Sequence, residues 1–70
     1  MSKLQAVIAH HKITSSQYPE IAQIAEIPKE SLPDLIKNGV YNPVQANRIV
    51  GALDLVADIC IEVTEILEKK

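Results

Sequence analysis

Few side chains in this sequence are of a type and spacing that could do chemistry. Cys60 is the one thiol, and no basic residue stands near it in sequence to draw off its proton, so it is expected as a small buried hydrophobe. His10 and His11 are adjacent, and neighbouring side chains on a helix diverge by about 100°, so the pair is ill suited to share a metal ion and is expected at a solvated helix end. No Cys or His pair has zinc-ligand spacing. There is no glycine-rich phosphate loop, no nucleophile beside a base and no isolated carboxylate pair, and 70 residues leave little room for a deep pocket. These residues point to a binding protein without a cofactor and not to an enzyme.

Charge is the more informative chemistry. The net charge of −2 argues against non-specific coating of nucleic acid or of an anionic membrane. Residues 1–48 hold five basic and four acidic groups plus the two histidines, whereas residues 49–70 hold the acids Asp54, Asp58, Glu62, Glu65 and Glu68 against Lys69 and Lys70. The front is near-neutral to basic and the tail is acidic. That acidic run is expected to be a solvated face, with the alternative that it directs the tail toward a basic partner. Tyr18, beside Pro19, is expected to close over the core, and Tyr41 either packs across a helix end or meets a sugar-phosphate backbone.

A chain of this size buries only about 60% of the surface its unfolded form exposes. Without a disulfide or metal, a second copy is the remaining way to add stability. Hydrophobic residues make up 47% but aromatics only 3%, so the core must be Ile, Leu, Val and Ala, the palette of packed helices. No apolar run approaches the roughly 18 residues that span a bilayer, and the start lacks the pattern of a secretion signal, so a cytoplasmic location is expected and no membrane partner.

Local signals then place the elements that must position these groups. Ser2 is an N-cap for a helix over about 3–12, with Leu4, Val7, Ile8 and His11 at helical spacing. A short second helix starts near Gln17 or Pro19 and ends at Ile27-Pro28. A third, with Leu32, Leu35 and Ile36 apolar, is stopped by Asn38-Gly39; starting it at Ser31 puts Pro33 harmlessly in the first turn. Asn42-Pro43 opens a fourth helix in which no proline follows. Its apolar positions Ile49, Leu53, Val56, Cys60, Val63 and Leu67 step by four and three, a heptad-like seam.

Run to the end, that helix would be about 40 Å long at ~1.5 Å per residue, against a diameter of roughly 28 Å for a compact chain of this size. Either it breaks near Gly51 to Asp54, or its distal seam is covered by a partner; the unbroken helix is the preferred reading. The expected fold is therefore all-α, a small bundle of four to five helices with a long C-terminal helix. Residues 1–54 form the domain, and residues 55–70 a helical extension that dimerises through Val56, Cys60, Val63 and Leu67.

The segment from Ile21 to Pro43, IAQIAEIPKESLPDLIKNGVYNP, and its continuation to Gly51-Ala52-Leu53-Asp54-Leu55, resembles the Cro/phage-repressor type of helix-turn-helix, the XRE family, over about residues 17–54. Ala22 is small where two helices approach, Ile27 plugs the turn, and Leu32 and Leu35 anchor the next helix. The family's turn usually carries Gly where this chain has Glu26. The resemblance implies double-stranded DNA as partner, with base edges met from about Pro28, Lys29, Glu30, Pro33 and Asp34. It implies a DNA-binding set of Gln17, Lys29, Glu30, Lys37, Tyr41 and Arg48, Lys12 adding charge.

The reading is a small homodimeric transcriptional regulator. The alternative is a protein-interaction module on the same scaffold, such as an antirepressor or an antitoxin-like or phage accessory protein, that meets a protein partner through the C-terminal helix.

Overall fold

The computed structural model describes residues 2–69, which are helical apart from turns, extended segments and a single bridge. Ser2 begins the chain's first helix as expected: its hydroxyl accepts the Gln5 N–H at 3.0 Å and donates to the carbonyl of Ile36, so one N-cap also ties two helices together. Helix α1 spans Lys3–His10 and buries Leu4 and Ile8. It stops two residues earlier than its spacing suggests, because Lys12 turns left-handed at φ 56° and Ile13 returns its N–H to the carbonyl of Ile8 at 3.0 Å. That exit buries Ile13. A 3-10 turn, Ser15–Gln17, leads into α2, Tyr18–Ile24.

Helix α3, Ser31–Asn38, starts where Pro33 falls in its first turn, so the proline removes no internal hydrogen bond. Asp34 in the first turn and Lys37 in the last both complement the helix dipole. Gly39 ends it at φ 101°, a conformation in which only glycine is comfortable. Helix α4, Pro43–Ala57, is capped by the Asn42 side chain, which accepts the N–H groups of Val44 and Gln45 at 2.9 and 3.2 Å. Helix α2 packs against α4 and α1 against α3. Between them lie Leu4, Ile21, Leu32, Ile49 and Leu53, each at most 1% exposed.

The fourth helix does not run to the end of the chain. It stops at Ala57, with Asp58 left-handed at φ 56° and its N–H on the carbonyl of Asp54 at 3.1 Å. Gly51 is helical and is not the break. Residues 58–62 form neither helix nor strand, a 3-10 turn follows at Val63–Glu65, and Val40 and Leu67 form an isolated parallel bridge. Ile59 and Ile66 are thereby buried in the chain's own core, at 5% and 0% exposure. Each such burial contributes about 1.5–3 kcal/mol, which a straight helix would leave to a partner. The molecule is 29 × 22 × 19 Å, so the overhang is gone.

The helical extension and its seam are corrected accordingly. Val56 lies in the last turn of α4, Cys60 in the segment that follows it, Val63 in a 3-10 turn and Leu67 in the bridge. They share no helix face, and all but Cys60 pack against this chain's own core. Cys60 is exposed, not buried, because its neighbours Ile59, buried, and Ile61, half-buried, take the inward positions. The acidic run is also only partly a solvated face: Glu68 is half-buried, and its carboxylate accepts the backbone N–H of Lys3 at 2.6 Å.

Candidate nucleic-acid interface

The exit from α2 sets the direction of α3. The N–H of Ile27 reaches the carbonyl of Ala22 at 3.0 Å, and that of Glu26 the carbonyl of Gln23 at 3.2 Å, with Glu26 left-handed at φ 61°. This is the Schellman exit, in which a residue with positive φ lets the following apolar side chain fold back on the helix. Ile27 does so, half-buried against the core. Pro28 follows, its carbonyl accepting the Ser31 N–H at 2.9 Å, which starts α3. Ala22 and Ala25 are buried where this turn and the helices meet.

With Leu32 and Ile36 buried and Leu35 half-buried, the opposite face of α3 presents Pro33, Asp34, Lys37 and Asn38 to solvent. Lys29 and Glu30 are exposed at its entrance. An eight-residue helix is about 12 Å long, comparable to the ≈ 12 Å width of a major groove. Lys29, Glu30 and Lys37 are therefore brought onto or beside one short helix.

The other expected positions fall elsewhere. Gln17 is half-buried, and its side-chain oxygen accepts the Thr14 N–H at 3.2 Å, a local turn-closing bond. Tyr41 is 47% exposed in the loop between the Val40 bridge and the Asn42 cap. Arg48 is exposed on the solvent face of α4, and Lys12 is exposed at the exit of α1. His10 and His11 are both solvent-exposed, their rings edge to face at 4.9 Å. They line an open groove of about 450 Å³ between α1 and the Val63–Glu65 turn, with Lys3, Ala6, Val7, Thr64 and Glu65. Among the described residues no three His, Cys, Asp or Glu side chains are grouped to hold a metal, and no helix is long and apolar enough to cross a membrane.

Asn38 was read from the sequence only as a helix terminator. It also stands one turn from Asp34 on the exposed face of α3, and its amide is the group that pairs bidentately with adenine. Its spacing of four from Asp34 carried that signal. Comparisons of the chain with known protein families, characterised proteins and solved structures gave no match.

Proposed function

We propose that the chain is a small DNA-binding regulator that lays α3 against a duplex. One observation carries this reading: two short helices are joined by a turn whose left-handed residue, Glu26, occupies the place of the turn glycine in the helix-turn-helix pattern, and the helix that follows keeps one face free. Lys29 and Lys37 meet phosphates, while Glu30 and Asn38 are the side chains in place to meet base edges. The local positive charge is small, so non-specific binding is weak, with a shallow salt dependence set by the few phosphates met.

The test is duplex binding by fluorescence anisotropy with mixed-sequence DNA, from about 50 to 200 mM salt. Binding at the low end is expected, and Lys29→Ala or Lys37→Ala should each weaken it and lower the log–log salt slope by about 1. Absence of binding at low salt, or variants that bind as the parent does, would overturn the DNA reading. Pro33 and Asp34 on the outward face of α3 favour the second reading, a protein-interaction module on the same scaffold, and that negative result would leave it standing.

A further inference from the structure

The solvent face of α4 holds an arrangement that none of the described residues covers. Val44 and Leu55 are 61% and 75% exposed, and their separation of eleven residues is three helical turns, which puts them on nearly one line about 16 Å apart. Arg48 and Gly51 lie between them on the same face, and Asp54 stands one turn beyond Gly51. Glycine is the least favourable helix-interior residue after proline, yet a Cβ added at Gly51 would meet nothing within 4 Å. Among the described residues no contact therefore requires glycine there.

We infer that this face is covered by the same face of a second copy, the two α4 helices packed antiparallel about a two-fold axis opposite the Ile49–Val50 step. In that register Val44 covers the partner's Leu55 and Leu55 covers the partner's Val44. Arg48 faces the partner's Gly51, where the missing side chain leaves its guanidinium a path across bare backbone toward the partner's Asp54. The face thus carries both halves of its own complement, apolar against apolar and cation against carboxylate, which is what a closed two-fold contact demands.

One helix face is a small interface, at the low end of the size range for specific pairs. The dimer is consequently weak and concentration-dependent. It stands apart from the DNA reading, since it is measured without DNA.

Sedimentation velocity of the full chain from about 10 µM to ~1 mM, where even a millimolar dissociation constant would register, tests the pairing. The parent is expected to shift from monomer toward dimer. Leu55→Glu and Val44→Glu, at positions too exposed to disturb the fold, should stay monomeric with unchanged circular dichroism. Gly51→Leu should fold with at least the parent's thermal stability yet lose dimerisation by about tenfold or more. Arg48→Asp should weaken association, and adding Asp54→Arg should recover it. A parent that stays monomeric throughout overturns the inference. So does a dimer indifferent to Leu55→Glu and Gly51→Leu, or one broken instead by changes in the tail.

Discussion

Two residues show how far local backbone chemistry governs this small fold. Glu26 is held left-handed, where an L-residue with a side chain is disfavoured by about 1–2 kcal/mol, an effect that glycine escapes at some entropic cost. Glu26→Gly is therefore expected to stabilise the chain by about 0.5–1 kcal/mol, read as a higher urea midpoint with unchanged slope. Glu68 acts over a longer distance. Its carboxylate meets the Lys3 N–H at the positive end of α1, its own N–H donates to the carbonyl of Val40 at 2.7 Å, and its side chain fills the space that a Cβ on Gly39 would need, 2.7 Å from Cγ. Glu68→Ala is expected to lower stability by about 1 kcal/mol and Glu68→Gln by less, because the amide oxygen keeps the hydrogen bond and loses the charge. Thermal unfolding of the three proteins in parallel would rank them. Glu26 is marked in the sequence only by the resemblance, as the residue standing where the family's turn carries Gly, whereas Glu68 in sequence is one acid in an acidic run.

The helices themselves were written in their caps. Ser2, Asn42-Pro43 and Asn38-Gly39 act within a few residues of themselves, and each starts or stops a helix where it stands. Pro33 likewise fixed the start of α3 at Ser31. The tail was misread for a physical reason. Its apolar residues suit a heptad, but Ile59, Ile61 and Val63 alternate equally well as an extended segment, and only the shape of the remaining core decides between the two. Asp58, a residue type that tolerates left-handed backbone better than most, makes the exit affordable. The placement of Lys29, Glu30 and Lys37 on or beside one helix is legible in the sequence, because it hangs on local helix signals. The placement of Gln17 and Arg48 away from α3 is not legible there, because it depends on how elements pack. If the tail's worth lies in filling the core, Ile66→Ala should cost about 2–4 kcal/mol although Ile66 belongs to no α-helix. An Ile66→Ala protein with the parent's melting temperature would refute that account.

At the scale of the molecule, stability and association are separate quantities here. The core closes with residues of one chain, and the two surfaces proposed for partners, the outward faces of α3 and α4, are made of exposed side chains whose replacement leaves that core intact. Changes at Lys29, Val44 or Leu55 should move binding and leave the unfolding curve alone, whereas changes at Ile59, Ile66 or Glu68 should do the reverse; Lys37, which also complements the α3 dipole, should move the curve slightly. The stapling of Lys3 by Glu68 reaches beyond equilibrium. These partners stand 65 positions apart, in a helical protein whose other closures are mostly local, and contacts so distant in sequence are slow to find. A nascent chain halted at Ala57 would lack the Glu68 carboxylate at the start of α1 and leave the core open where Ile59 and Ile66 belong. The last dozen described residues thus seal a bundle whose four helices all precede them in the chain.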